Sequence, residues 1–340
     1  MISKVNTKEA IGMTLAHDVT RISPGEFKGP RFRKGHVITE QDIPQLLELG
    51  KEHVYVLSLE PGEIHEDEAG TRIAKAMADP SLELTEPSES RVDIKAKTSG
   101  LLKINVPLLG EINSIDEVIV ATLHNNSVCH PGMRLAATRI IPLFTAGSKV
   151  EEVETLCQEK GKVIQVKPFV KSKVGLVITG NEVYNGLIED KFGDVIAGKL
   201  EPFGASITHR IFAPDDTDMI SQAMLEARDK GSEVIIVCGG MSVDPDDVTP
   251  QGIRQSGAKI VSYGAPVVPG TKFLYAQWDN IPVLGAPACV IYDPATVLDL
   301  VLPRVLAGEQ ISYQDVVDMG HGGLCLGCSK CTFPVCPFGK

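Results

Sequence analysis

Four thiols stand within twelve residues near the carboxyl end of the sequence: Cys325, Cys328, Cys331 and Cys336, in the run LCLGCSKCTFPVCPFG. The spacing C-x2-C-x2-C-x4-C-P suits a wrap around one metal centre, stiffened by Pro334, Pro337 and the nearby glycines. Thiolates are soft donors, so the expected occupant is a [4Fe–4S] cluster or Zn2+, with His321 able to replace one thiolate. The competing reading is a disordered, redox-labile tail. Cys129, Cys157, Cys238 and Cys289 are scattered. That distribution points to a reducing compartment and a metal site, not to a disulfide framework.

A second group is carboxylic. In EVIIVCGGMSVDPDD (233–247) an apolar run ends in Gly239-Gly240, followed by Ser242 and by Asp244, Asp246 and Asp247. Carboxylates gathered at a phosphate site repel the phosphate unless a cation such as Mg2+ lies between them. The alternative is that they cap the helix expected near 248–255. Asp246 reads as the cap and Asp247 as the functional acid, with Glu182 expected across the pocket. In HNNSVCHPG (124–132), the H-x4-C-H spacing reads as a polar hairpin loop before it reads as a metal site. His17, His36, His53 and His65 lack ligand spacing.

The elements that must hold these groups follow from periodicity. Run 234–238 is short, apolar and β-branched, as a strand buried on both faces should be. From residue 174 strands and helices alternate in the manner of an α/β domain, a parallel-type sheet with flanking helices. Strands are expected at 174–178, 206–212, 234–238, 258–263, 272–276 and 281–284. Helices are expected over 217–230, capped by Asp215-Asp216, and over about 293–307, kinked or shortened by Pro303. Loops at strand ends then supply the candidate contacts: Thr179, Gly180 and Asn181; Gly239 and Gly240; Pro269, Gly270 and Lys272 in VVPGTKF; Gly285 and Pro287 in GAPAC. Glycines there admit close backbone approach to a phosphate or flat ring, although each alone is an ordinary turn.

At 340 residues, two or three domains are expected. The divisions are a mixed α+β region at 1–85, a β-rich small domain at 91–165 forming a barrel or sandwich, the α/β domain at 172–310, and a Cys-rich tail at 311–340. The net charge of −11 argues against a nucleic-acid binder, and Arg31, Arg33 and Lys34 read as a solvated loop. Neither a secretory signal nor an 18-residue apolar span is visible, so a cytoplasmic protein without a membrane segment is expected.

The motifs ITGNEV, VCGGMSVDPDD, VVPGTKF and VLGAPACVIYDPATVLDLVLPRVLAG, in this order, resemble the molybdopterin-binding domain shared by gephyrin, bacterial molybdenum insertases and adenylyltransferases of molybdenum cofactor synthesis. The resemblance covers about residues 172–308. It implies that molybdopterin or its adenylylated form is held at Gly239, Gly240, Met241 and Ser242, with Asp244 nearby. It also implies a metal-binding or catalytic carboxylate at Asp247 and a second corner at Thr179, Gly180, Asn181 and Glu182. Mg2+, molybdate and self-association come with the same resemblance, whereas a molybdoenzyme partner belongs to the carrier, chaperone or sensor alternative, whose cysteine tail would dock to it. The sequence departs from the insertases at Asn181, where they carry aspartate, and at the turn with Lys272, where theirs is KPGKP. It departs again at Ala288 and Cys289, where they carry glycine and asparagine, and it lacks their SAMDGYA signature. The implied activity is molybdate insertion into adenylylated pterin. The alternatives are a non-catalytic molybdopterin carrier, chaperone or sensor, and a pyrophosphate hydrolase like the amino-terminal domain of competence-damage proteins.

Overall fold

The structure, a computed structural model, describes residues 2–23, 27–57, 61–88, 91–241 and 247–340. The chain divides into two compact units, one built from Met1–Lys95, Asn105–Thr122 and Arg134–Val163, the other from Ala96–Ile104, Leu123–Met133 and Ile164–Lys340.

In the first unit, strands Ile2–Asn6, Thr14–Leu15 and His53–Leu57 pair antiparallel over a core of Leu15, Val19, Ile38, Leu46, Val54 and Val56. Asp42 opens helix Asp42–Glu48 without capping it. Its carboxylate instead accepts from the Thr39 N–H and hydroxyl at 2.8 and 2.7 Å and meets His36 Nε2 at 2.7 Å. The strand candidates within 91–144 are divided between two sheets. Strands Val92–Lys95, Val118–Thr122 and Arg134–Ile140 join a four-stranded sheet with Glu83–Leu84. Strand Gly100–Ile104 instead pairs with Val128–Cys129 and Ile164–Lys167 in the second unit. Between them lies an unexpected helix, Val106–Asn113, capped by Asn105, whose side chain accepts from the Leu108 N–H, and opened by Pro107 in its first turn.

The second unit is organised by a six-stranded sheet of β1 (Lys173–Thr179), β2 (Ser206–Ala213), β3 (Val234–Cys238), β4 (Lys259–Tyr263), β5 (Leu274–Trp278) and β6 (Ile281–Ala286). Its order is β2-β1-β3-β6-β5-β4. The first four are parallel, whereas β5 runs antiparallel to both neighbours, so the sheet is mixed at one edge. Every residue of β3 is buried, while the edge strand β2 alternates exposed and covered positions. This difference is what central and edge placement require of their sequences.

Helices α1 (Asn181–Tyr184), α2 (Phe192–Leu200), α3 (Thr217–Asp229), α4 (Thr249–Gln255), α5 (Val297–Leu306) and α6 (Tyr313–Asp318) complete the unit. Asp216 caps α3, accepting from the Met219 N–H at 2.9 Å. Helix α5 starts later than expected, because Thr296 and Asp299 form a reciprocal capping box and Ala288–Ile291 makes a separate 3-10 turn. Pro303 sits inside α5 without ending it. Among the described residues, no helix is long and apolar enough to cross a membrane.

Candidate functional site

Strand register brings the candidate loops together. One row of paired residues crosses the whole sheet: Ile211, Val177, Val237, Gly285, Leu274 and Tyr263. Past this row the parallel strands end at Ala213, Thr179, Cys238 and Ala286. The turn 268–273 enters β5 from the same side, and β4 leaves at Tyr263. The turns near 180, 240, 270 and 287 therefore emerge from a single edge, the carboxyl edge at which open α/β sheets take ligands.

Those turns hold one another. The Thr179 hydroxyl, buried, meets the Thr249 hydroxyl at 2.9 Å and donates to the Cys238 carbonyl at 3.3 Å. The Asn181 N–H donates to the Asp215 carboxylate at 2.9 Å while its side-chain oxygen accepts the Asp215 N–H at 3.2 Å. The Val297 N–H donates to the Pro269 carbonyl at 3.2 Å, tying the 268–273 turn to the start of α5. Glycine identity follows from this crowding. A Cβ on Gly239 would collide with the Thr179 carbonyl, one on Gly240 with the Thr249 hydroxyl, one on Gly270 with Val297, and one on Gly285 with the Met241 methyl. Gly239 and Gly270 also hold φ of +99° and +124°, which disfavour a side chain. The space that their missing side chains leave brings loop against loop.

The candidate residues that the structure describes have definite places. The Met241 side chain is buried against Gly285 in the core beneath the edge, and its carbonyl accepts the Tyr263 hydroxyl at 3.1 Å. Glu182 is exposed at the start of α1, with its carboxylate over Gly180. Lys272 is exposed on its turn, and Pro287 is buried. Asp247 is half-buried. Ser242, Asp244 and Asp246 lie outside the described residues. The residue before α4 is Val248, which offers no side-chain cap. Cys289 is half-buried in the 3-10 turn after β6, where burial and the Asp293 charge push its thiol up and keep it protonated.

Tyr263 is the residue that sequence reasoning missed. It is half-exposed at the edge, and burial together with the Asp247 charge raises its phenol pKa, so it remains a hydrogen-bond donor. Only the register, which aligns it with Leu274 and Gly285, reveals that it belongs with the loops. An open cleft of about 990 Å³ lies elsewhere, along the flank of α2 and β2 between Asp194 and Arg210. None of the candidate residues lines it.

Among the described residues, no three His, Cys, Asp or Glu side chains are gathered as a ready metal site. This includes the tail, where Cys328 and Cys331 are exposed, Cys325 and Cys336 are half-buried, and no cysteine is in a disulfide.

Residues 175–315 match the family model described as a probable molybdopterin binding domain, and residues 4–58 match a domain of unknown function. A CinA-like protein of Mycobacterium tuberculosis is 30% identical over 93 residues, which are 27% of this chain and 22% of the relative. The chain thus spans about a fifth of the length of the curated relatives it matches. Among solved structures, the tungsten cofactor synthesizing protein MoaB from Pyrococcus furiosus is similar at 20% identity and a TM-score of 0.32, covering 42% of this chain and 94% of that one. The molybdopterin biosynthesis MoeA protein from Pyrococcus horikosii is similar at 15% identity and a TM-score of 0.33, covering 90% of this chain and 75% of that one. The second unit accordingly carries a domain of the molybdopterin-binding family.

Proposed function

We propose, from the molybdopterin-binding-family domain at residues 175–315, that the chain binds molybdopterin on the carboxyl edge of its six-stranded sheet and serves the biosynthesis or handling of the molybdenum cofactor. The observation that supports this most is the row from Ile211 to Tyr263, because the described ends of the strands that carry the candidate loops lie along one edge. In this reading the backbone of Gly239, Gly240 and Met241, with Ser242, takes the pterin phosphate. Thr179, Gly180, Asn181 and Glu182 form the second corner, Lys272 supplies positive charge, and Asp244, Pro269, Gly270, Gly285 and Pro287 complete the wall.

Mg2+ is commonly held by one or two carboxylates, with substrate phosphates and water filling its shell, so it does not need a preformed three-donor cluster. Asp247, with Glu182, fits that requirement and would hold the ion, whose chemistry is to neutralise phosphate charge as an adenylyl group is transferred or removed. Insertion of molybdate into adenylylated molybdopterin is the reaction this arrangement serves. The same reading makes a molybdoenzyme the receiver of the product and the chain a self-associating cytoplasmic protein.

One observation favours the non-catalytic alternative. Asn181, standing where insertases carry an aspartate, is engaged on both its N–H and its side chain with Asp215, so it locks two loops instead of presenting a charge. Incubating the purified chain with adenylylated molybdopterin, molybdate and Mg2+ separates the readings. Release of AMP with a molybdenum-loaded product identifies an insertase, and tight binding without turnover identifies a carrier, chaperone or sensor. Cleavage of an unrelated pyrophosphate substrate, with no pterin binding, would overturn both.

A further inference from the structure

We propose that residues 322–339 are a pinned loop that closes its four cysteines around one thiophilic metal centre beside the ligand edge. This rests on the loop's own geometry and not on the pterin reading. Its base is already tied. The Val268 N–H donates to the Gly323 carbonyl and the Cys325 N–H donates to the Val268 carbonyl, both at 2.8 Å, as a short parallel bridge. At the other end the Gly339 N–H donates to the Gly322 carbonyl at 2.9 Å, and Phe338 is 3% exposed in the core of the α/β unit with Phe333 edge-on to it. The contacts are close enough to require glycine: a Cβ on Gly323 would strike the Met319 and Pro266 carbonyls, and one on Gly339 would strike Leu300.

All four cysteines fall between these two anchors. Much of the entropy of closing the loop is therefore lost on folding, before any metal arrives. Cys325 and Cys336 pack at the margin of the core, fixing two thiols at the base, while Cys328 and Cys331 stand exposed at the tip. Gly327, between Cys325 and Cys328, holds φ of +63°, a left-handed turn that lets two thiols separated by two residues converge. The segment GGLCLGCSKCTFPVCPFG contains no carboxylate, so its donors are thiolates that select zinc or iron–sulfur over hard cations such as Mg2+. Leu324, Leu326 and Val335 are 67%, 71% and 83% exposed around those thiols, an apolar fringe that closure over a metal would cover. Each thiol loses its proton on ligation, and Lys330 and Lys340 offset part of the negative charge of the resulting centre. Because Val268 opens the turn that leads to Lys272, the centre adjoins the ligand edge.

The test uses the full chain prepared without oxygen, first analysed for zinc, iron and sulfide, then stripped with chelator and titrated with Co2+ as a spectroscopic probe. The expected result is one equivalent of tetrahedral Co2+ per chain with thiolate charge-transfer absorbance. Four iron and four sulfide in the untreated protein would identify a cluster, and one zinc a mononuclear site; either supports the proposal. Cys328→Ser and Cys331→Ser should each weaken Co2+ binding at least about tenfold. The melting temperature of the metal-free chain should not move, because both side chains are exposed, and His321→Ala should leave binding intact. Metal uptake that is absent or substoichiometric, or that is unaffected by either cysteine substitution, would overturn the proposal.

Discussion

Tyr263 is one of the side chains that hold the edge together. Its hydroxyl holds the Met241 carbonyl, and its elevated pKa, caused by burial and by Asp247, keeps it a donor through neutral pH. Replacing it with phenylalanine removes one hydrogen bond of about 1 kcal/mol. Tyr263→Phe is therefore expected to lower the melting temperature by about 2–4 °C and to weaken molybdopterin binding by up to about fivefold. Isothermal titration of the variant and the parent checks this. Asp247→Asn removes the charge assigned to Mg2+ without altering size. The variant should stay folded while Mg2+ no longer enhances pterin binding, and an undiminished Mg2+ effect would remove Asp247 from the site. The residue types at the edge were legible in the sequence; their partners were not. Asn181 reads as a departure from the insertases' aspartate, and in the structure its N–H and side chain hold Asp215. Such a pairing between loops 34 positions apart leaves no local pattern.

At the scale of elements, the loops are as much structure as site. A Cβ on Gly239 meets the backbone of Thr179 at a φ of +99°, so Gly239→Ala should destabilise the fold by about 2–4 kcal/mol, visible as a lower urea midpoint. A variant that melts like the parent would show that this loop has room to spare. The helices after the sheet are fastened by charge. Arg304, 9% exposed, donates to Glu309 at 2.9 Å and to Asp315 at 2.6 Å, and Glu309 also pairs with Lys103 at 2.8 Å. Burial alone would raise the Asp315 pKa. The Ser312 hydroxyl and Arg304 outweigh it and bring the pKa from 3.8 to about 2, and Glu309 is lowered in the same sense by Lys103 and Arg304. A depressed carboxylate stabilises the fold above its unfolded pKa and loses that contribution as pH falls, here between about 4 and 2 for Asp315. Discounted for partial exposure, the loss is on the order of 1–2 kcal/mol. Asp315→Asn should therefore be less stable than the parent at pH 6 and nearly equal to it at pH 2, measured by urea unfolding at both. These fastenings were opaque in the sequence, whereas the strands they brace were plain from short β-branched runs. Helix Val106–Asn113 is hard to read from the sequence because its apolar residues follow directly on those of strand Gly100–Ile104.

At the scale of the whole molecule, the second of two compact units carries the sheet edge at which the candidate loops gather and the cysteine-rich strap. The order of strands along the chain suggested the edge, but only the register, with β5 reversed, brought the 268–273 turn and Tyr263 to it. Long-range pairing also decided which unit received Gly100–Ile104, a segment whose sequence fits an edge or a central strand equally well. The most direct measurement of the central claim is hydrogen–deuterium exchange of the full chain with and without saturating molybdopterin, held anaerobically. Slowed exchange is predicted together in the turns around 180–182, 239–241, 268–272 and 287–291, with the flank between Asp194 and Arg210 unchanged. Protection confined to that flank or to the first unit, or no protection at saturation, would contradict a shared pterin ledge at the carboxyl edge of the sheet.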